Sequence, residues 1–264
     1  MSNSREIYND LLEQYNRLDD EDKRAIIIYK SKLFRLINLI TSIPEFEQLS
    51  VEEIIERLPD IDKLKQEVWQ FNQILNRPEN MIVKYSVFKN VNLDDFNSLV
   101  EYLRLIYYRL NSIKEKIILK DDLTVYRGIA FNEDEELDRL AQGNLISTSI
   151  KIEDTEPYMS FKRKAALYMI RIKAGTPLLV APTSLVCTYR DKEDYLYKKL
   201  NGLPATSLKL VNRGEAGVEE IILFKDMLEI VHEMVENREI DGKMISIHQI
   251  DSVIKRKNSN ERKK

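Results

Sequence analysis

Leu-Thr-Val-Tyr-Arg-Gly, residues 123–128, is the stretch of sequence that decides the fold. Its β-branched and aromatic residues favour a strand, and it ends in the first glycine of the chain. All seven glycines lie at or after Gly128. Glycine supplies the positive φ that hairpins and tight loops need, so a glycine-free stretch is more easily built from helices than from sheet. Two structural regimes are therefore predicted to meet near residue 120.

Before that boundary, apolar residues recur at helical spacing, as in Ile7–Leu18, Ile26–Ile40 and Ile61–Leu75. Ser50 is a predicted cap for a helix through Leu58, and Asn92 or Asp94 for a long helix from Leu99 to Ile113. The pattern predicts a helical N-terminal region over residues 1–118. Its helices either pack simply with one another or form a module that recognises a partner macromolecule.

After that boundary the sequence predicts short strands, with one helix over Glu133–Ala141. Met227–Val231 is predicted as a strand or a helix, and residues 244–247 with 253–254 as a final strand pair. Strict βαβ alternation is missing, which favours an α+β fold whose N-terminal helical subdomain precedes an antiparallel mixed-sheet core over residues 119–254. The basic tail, residues 255–264, is predicted to be solvated, with a weak electrostatic contact to nucleic acid or an acidic membrane as the alternative. The other predicted strands are Leu145–Ile150, Tyr168–Ile172, Leu178–Val180 and Ile221–Phe224.

Composition excludes several classes of protein. The 264 residues are 43% hydrophobic and 32% charged, with a net charge of -3, which argues against a DNA-packaging protein. A single cysteine, Cys187, forbids an intramolecular disulfide, and His232 and His248 lack the spacing of metal ligands. Apolar runs of about four residues are too short for a transmembrane segment, and the first residues lack the pattern of a secretory signal. We expect a protein that is cytoplasmic where it is made.

Three strand-associated motifs carry the chemistry. Arg127 lies at a predicted strand end, and Gly128 directly after it is predicted to leave room for a ligand beside the backbone. Arg127 offers a permanent charge and a bidentate fork suited to phosphate. Ser147-Thr148-Ser149 places three hydroxyls on the next strand, where the two serines share one face. The third motif, residues 214–223, is a glycine-bracketed loop that leads a carboxylate directly into an apolar strand. Each motif alone is commonplace.

In this order the three motifs resemble the arginine-serine-glutamate class of mono-ADP-ribosyltransferases, a class that includes bacterial toxins, secreted effectors and phage enzymes. The resemblance covers about residues 120–254, and residues 168–176 look like the strand and glycine turn between its second and third motifs. It implies NAD as co-substrate, no metal, and transfer of ADP-ribose to a macromolecule. A protein is the first candidate acceptor, with nucleic acid or a small molecule as alternatives. It also implies delivery into a host or target cell without a cleavable signal.

The resemblance also assigns roles to residues. Glu220 becomes the catalytic carboxylate, Arg127 the phosphate clamp and Ser147 the residue that orders the site. Tyr158 or Phe161 would stack on nicotinamide, although both also fit a packed core. The remaining predicted site residues are Gly128, Thr148 and Ser149 on the NAD side, and Glu219 and Glu215 on the acceptor side. Thr148 and Ser149 would also support the strand beside Ser147.

One departure from the family pattern leaves the acceptor chemistry open. The family has Glu or Gln two residues before its catalytic glutamate, whereas this chain has Val218 there. Shifting the assignment to Glu219 would put Gly217 at that position, which fits no better. An NAD glycohydrolase, in which water replaces the acceptor, is therefore an alternative, and so is a non-catalytic binding module on a degenerate transferase core.

Overall fold

The structure is a computed structural model, and it describes residues 4–30, 34–58, 62, 65–66, 69, 95–131, 143–159, 164–181, 220–240 and 243–255. The predicted helix over 133–141, most of the predicted stripe over 61–75, and the tail beyond Lys255 lie outside these residues. Among the residues described, no helix is both long enough and apolar enough to cross a bilayer.

The α+β prediction is confirmed, because helices fill the described chain before residue 113 and a seven-stranded mixed sheet follows. The helices are α1 (Ser4–Asn16), α2 (Asp20–Ile28), α3 (Phe34–Ile40), α4 (Val51–Arg57), α5 (Phe96–Ser112) and, between strands, α6 (Glu156–Met159). The strands are β1 (Leu123–Phe131), β2 (Leu145–Ser149), β3 (Lys164–Ile172), β4 (Leu178–Ala181), β5 (Glu220–Phe224), β6 (Leu228–Ile240) and β7 (Lys243–Ile254).

The sheet has the order β4-β5-β2-β1-β3-β7-β6. Strand β1 pairs antiparallel with both β2 and β3, β2 pairs antiparallel with β5, and β3 pairs parallel with β7. Strands β4 and β5 are buried along their whole length. The three strands that carry the predicted motifs, β1, β2 and β5, are therefore neighbours in the interior of the sheet.

The chain forms two compact units that do not follow its order. One unit contains Met1–Leu18, Ile113–Val180 and Val218–Lys264, and thus the sheet together with α1. The other contains Asp19–Ser112 and Ala181–Gly217, and thus helices α2 to α5. Helix α1, which the composition groups with the other helices, clusters with the sheet. The boundaries 1–118, 119–254 and 255–264 stay predictions.

In the helical unit, polar contacts hold α5 against α2. Arg109 of α5 donates to the carboxylate of Asp19, the N-cap of α2, at 2.7 and 2.8 Å. Its Nε also lies 2.5 Å from the fully buried Asp22. The hydrogen bonds that Arg109 donates to the Asp19 carboxylate raise the pKa of Arg109. Below them, Tyr107 packs edge-on against Phe46 in the buried core.

Of the two predicted helix caps, the cap of α4 is confirmed and the cap of α5 is corrected. Ser50 caps α4, which ends at Arg57, and forms a reciprocal capping box with Glu53. Helix α5 begins at Phe96, and Asp95 accepts the backbone N–H of Asn97 at 3.2 Å. Asp95 therefore takes the role predicted for Asn92 or Asp94, which lie outside the described residues.

In the sheet unit, hydrogen bonds between side chains and backbone groups fix α1 and the segment that leads into β1. The Gln14 amide accepts the N–H of Ile118 at 2.9 Å and donates to its carbonyl at 3.0 Å, as a neighbouring strand would. Asp122 binds Lys173 at 2.7 Å and the N–H of Ala174 at 3.1 Å. The hydrogen bond from Lys173 lowers the pKa of the Asp122 carboxyl. Gly175 completes this turn with φ +88°, which requires glycine.

The C-terminal region differs from the sequence prediction. Residues 244–247 and 253–254 do not pair with each other, because both belong to the continuous strand β7. Of the residues predicted as a strand or a helix, Met227 ends a 3-10 turn and the other four begin β6, which runs for 13 residues and pairs antiparallel with β7. A register shift between Ile230 and His232 breaks the alternation of β6. This irregularity explains why the sequence pattern indicates a much shorter element.

Candidate active site

The three motifs meet in one register row across adjacent strands. Tyr126 of β1 lies opposite Ser149 of β2, and Ser149 lies opposite Glu220 of β5. The Ser-Thr-Ser strand therefore lies between the strand of the arginine and the strand of the glutamate. Residues 127, 147–149 and 220, up to 93 positions apart in the sequence, are brought together by strand pairing alone.

Glu220 is the first residue of β5, and only 8% of it is exposed. The four apolar residues after it, Ile221–Phe224, are completely buried and hold the backbone of the strand in place. Since facing residues of an antiparallel pair share a face, Glu220 lies on the same face as Ser149 and Ser147. A carboxylate at such a position is poorly hydrated, which strengthens its effect on a nearby positive charge.

Arg127 is linked directly to the second motif. Its Nη1 donates to the backbone carbonyl of Ser147 at 2.7 Å, and the side chain is half-buried. Because successive side chains of a strand point to opposite faces, Arg127 points away from the face of Tyr126. It shares its face of the sheet with Thr148 and Ile221. The structure thus ties Arg127 to the Ser147 backbone, while the Ser147 and Glu220 side chains lie on the opposite face.

Two of the predicted hydroxyls serve the protein itself. The Thr148 hydroxyl donates to the carbonyl of Ile221 at 2.7 Å and ties β2 to β5. The Ser149 hydroxyl donates to the Asp154 carboxylate and accepts the N–H of Lys151 at 3.1 Å. Both residues are about 4% exposed. These contacts fit support of the strand, the role the sequence analysis gives them beside Ser147.

Gly128 is needed for packing against the helical segment that follows β2. A Cβ atom at this position would lie 2.6 Å from the carbonyl oxygen of Thr155 and 2.8 Å from Cγ of Met159. The space beside Gly128, which the sequence analysis reserves for a ligand, is therefore filled by Thr155 and Met159. A glycine here lets α6 approach β1 closely, and its predicted contact with NAD stays a prediction.

The aromatic candidates and the acceptor-side candidates have different outcomes. Tyr158 on α6 is 58% exposed, so it does not take the packed-core position that is its alternative interpretation. It remains available for stacking on a ligand. Phe161, Glu215 and Glu219 lie outside the described residues, so their predicted roles stay predictions.

Sequence reasoning missed a row of side chains beside Arg127. Tyr168 of β3 lies opposite Arg127, and its ring stacks on His248 of β7, with centroids 4.5 Å apart. His248 Nδ1 lies 2.7 Å from the carboxylate of Glu233 on β6. Tyr168 and His248 are 3% and 8% exposed. The sequence gives no indication of this contact, because 80 residues separate the two rings and the parallel pairing of β3 with β7 brings them together.

In the part of the chain that the structure describes, no group of three or more His, Cys, Asp or Glu side chains is placed to hold a metal ion. The chemistry available at β1, β2 and β5 comes from a buried carboxylate, a guanidinium and hydroxyl groups. This set suits electrostatic stabilisation of a cationic centre next to an anionic group.

Comparison with known proteins gives similarity at the level of structure. No protein-family model and no curated protein matches the sequence. Among solved structures, the chain is similar to Plx2a, an ADP-ribosyltransferase toxin from Paenibacillus larvae, with 14% identity and a TM-score of 0.42. That alignment covers 94% of this chain and 92% of Plx2a.

In two further comparisons the alignment covers only part of the other protein. The enzymatic component C2-I of the C2-toxin from Clostridium botulinum is 14% identical with a TM-score of 0.41, and the alignment covers 95% of this chain and 46% of C2-I. BECa, an ADP-ribosylating toxin from C. perfringens solved with NADH, is 15% identical with a TM-score of 0.33. That alignment covers 75% of this chain and 48% of BECa. The chain thus spans about half the length of both proteins.

Proposed function

We propose that the chain is a mono-ADP-ribosyltransferase, which cleaves NAD at the nicotinamide-ribose bond and transfers ADP-ribose to a macromolecule. The observation that carries the proposal is the register row Tyr126–Ser149–Glu220. It aligns the arginine, serine and glutamate motifs on three adjacent strands and leaves Glu220 largely buried at the start of one of them. The residue types, their order in the chain and the adjacency of the three strands support this chemistry, and Arg127 is joined to the second motif through the Ser147 backbone.

The chemistry requires a carboxylate near the ribose. Breaking the bond between nicotinamide and ribose leaves an oxocarbenium-like centre, as in glycoside hydrolysis. A negative charge fixed close to that sugar lowers the energy of the transition state more than that of bound NAD. Glu220 would supply this charge, because β5 fixes its backbone and its low exposure limits screening by water. Ser147, on the same face, would hydrogen-bond the glutamate or the ribose.

Arg127 would bind the phosphate groups of NAD. Its hydrogen bond from Nη1 to the Ser147 carbonyl fixes the orientation of the guanidinium plane. A planar fork held in a fixed orientation is what bidentate binding of phosphate requires. Exposed Tyr158 would supply a flat apolar surface for nicotinamide.

A protein is the first candidate acceptor, with nucleic acid or a small molecule after it. NAD glycohydrolysis is the second candidate function, and Val218 favours it. The related enzymes place Glu or Gln two residues before the catalytic glutamate, and a valine there cannot hold or deprotonate an acceptor side chain. Water would then react with the oxocarbenium centre, and the product would be free ADP-ribose.

The proposal is tested by Glu220→Gln, assayed with labelled NAD in a cell lysate. The change preserves shape and removes the negative charge, so NAD should bind about as well as to the wild type. Cleavage of NAD should fall on the order of a hundred- to a thousand-fold. Binding is measured by calorimetric titration, and modified macromolecules and free ADP-ribose are measured separately. Wild-type turnover that releases free ADP-ribose alone identifies the glycohydrolase.

Two variants control the assignment. Glu229→Gln changes an exposed glutamate of β6 and should leave turnover unchanged. Glu219→Gln should spare hydrolysis and reduce transfer if Glu219 serves the acceptor. If Glu219→Gln abolishes hydrolysis while Glu220→Gln does not, the assignment is wrong by one residue. A wild-type chain that neither modifies a macromolecule nor consumes NAD overturns the proposal.

A further inference from the structure

Among the residues that the structure describes, β6 is an outer strand of the sheet, and it is unusually long and exposed. It pairs with β7 on one side, and every residue from 229 to 239 is exposed. The outer side of an edge strand presents backbone N–H and C=O groups that can pair with another extended chain. Soluble proteins commonly protect such edges by keeping them short, whereas β6 extends over 13 residues.

The same strand exposes large apolar side chains. Ile230, Val231, Met234 and Val235 are between 48% and 55% exposed. Single exposed apolar residues are ordinary, but four of them within six positions give both faces of this edge strand exposed apolar side chains. A strand added to β6 would cover these side chains and satisfy the backbone groups at the same time.

The negative charge of β6 indicates which kind of segment could pair with it. Strand β6 carries four glutamates and a single arginine, so its net charge is -3 with His232 neutral. Arg238 already donates to Glu236 at 2.8 and 2.9 Å, and that hydrogen bond lowers the pKa of Glu236. A second copy of the chain pairing through β6 would bring two strands of charge -3 side by side, which is unfavourable. An extended segment rich in Lys and Arg complements the strand instead.

We propose that β6 is a docking strand, which binds an extended basic segment of a partner protein as an eighth strand of the sheet. Backbone hydrogen bonds to the outer side of β6 would give affinity, and alternate side chains would give specificity. Beyond the register shift at Ile230 and His232, alternation places Glu233, Val235, Asn237 and Glu239 on one face of β6. The segment recognised there would carry basic residues beside the two glutamates and an apolar residue beside Val235.

The test uses the full chain and a fluorescent peptide of alternating Lys and Val residues, with binding followed by anisotropy. Wild-type chain should bind this peptide, and a matching peptide of alternating Glu and Val should bind much less. The double variant Glu229→Lys/Glu239→Lys reverses two charges near the ends of β6 and leaves the Arg238–Glu236 pair intact. It should weaken binding about tenfold, because each reversed cross-strand pair changes from attraction to repulsion.

Matched controls make the outcome decisive. Glu52→Lys/Glu56→Lys reverses two exposed glutamates of α4 and should leave the affinity unchanged. A Lys-Val peptide methylated on alternate backbone nitrogens keeps its charge but loses backbone donors, and it should bind poorly. Equal binding of the methylated peptide, or equal loss in the α4 variant, identifies general electrostatic adsorption and overturns the proposal. Sedimentation that shows a dimer abolished by the β6 variant assigns the strand to a second copy and also overturns it.

Discussion

Strands β5 and β6 are separated by one three-residue turn, Lys225–Met227, yet their surroundings are opposite. The last four residues of β5 are completely buried, whereas eleven successive residues of β6 are exposed. In the sheet β5 lies between β4 and β2, while β6 is the outer strand next to β7. Burial in this protein therefore follows the order of strands in the sheet and not proximity along the chain.

The sequences of the two strands reflect this difference. Strand β5 is a continuous apolar run after its first residue, as is typical of a strand covered on both faces. Strand β6 intersperses glutamates among its apolar residues. The proposed chemistry therefore lies on interior strands, and the proposed docking surface lies on the outer strand.

The largest effect that would test this contrast is on stability. Phe224 on β5 is completely buried, with Lys114 Nζ 4.7 Å from its ring centroid, so Phe224→Ala should lower the free energy of unfolding by about 3–5 kcal/mol. Val235→Ala on β6 removes a side chain that is 55% exposed, and its cost should stay below about 0.5 kcal/mol. Urea unfolding followed by circular dichroism measures both. Equal losses would show that β6 is buried in solution.

A second comparison concerns the effect on NAD affinity of two arginines, Arg127 on β1 and Arg238 on β6. If Arg127 clamps phosphate, Arg127→Lys keeps the charge but loses the fork, and NAD affinity should fall by about 1.5–3 kcal/mol, or ten- to a hundred-fold. Arg238→Lys makes the same change on β6, away from the site, and should leave NAD affinity unchanged. Calorimetric titration of both folded variants measures the difference. An unchanged affinity in Arg127→Lys would remove Arg127 from the proposed site.

The smallest expected effect concerns two hydroxyls that join strands. Thr148 donates to the Ile221 carbonyl in the interior, and Thr148→Val should lower the free energy of unfolding by about 1 kcal/mol. Ser246 on β7 donates at 2.6 Å to the side chain of Asn237 on β6. Asn237 is exposed and can bind water instead, so Ser246→Ala should cost less. Thermal midpoints measured side by side would show the order, and a larger loss for Ser246→Ala would contradict it.

Local pattern was enough to predict the interior of the fold. Strands β2 and β5 follow from short apolar runs of the right composition, and the cap at Ser50 follows from residue type and spacing. The start of β1 follows in the same way, but β1 continues to Phe131, so Arg127 lies within the strand and not at its predicted end. The motif residues Arg127, Ser147 and Glu220 could be proposed from the sequence because each lies in or next to such a run, and their roles stay predictions.

Long-range pairing was not predictable in the same way. The parallel contact of β3 with β7, and with it the Tyr168–His248 stack, depends on residues 80 positions apart. The length of β6 was hidden because its alternation shifts between Ile230 and His232. Gly128 was interpreted as space for a ligand because the approach of Thr155 is a tertiary contact with no sequence signature.

The position of β7 has a kinetic consequence. This C-terminal strand lies between β3 and β6, and its pairing with β3 begins at Lys164 and Met244, which closes a loop of 80 residues. Closing a loop of that length carries a large entropy loss before any contact compensates for it, and folds dominated by such contacts form slowly. Strands β1, β2 and β3 can pair earlier, whereas β6 gains its described neighbour only when β7 has been synthesised. Until that moment a nascent chain carries two unprotected strand edges, one on β3 and one on β6, and we expect its dependence on molecular chaperones to be greatest during that interval.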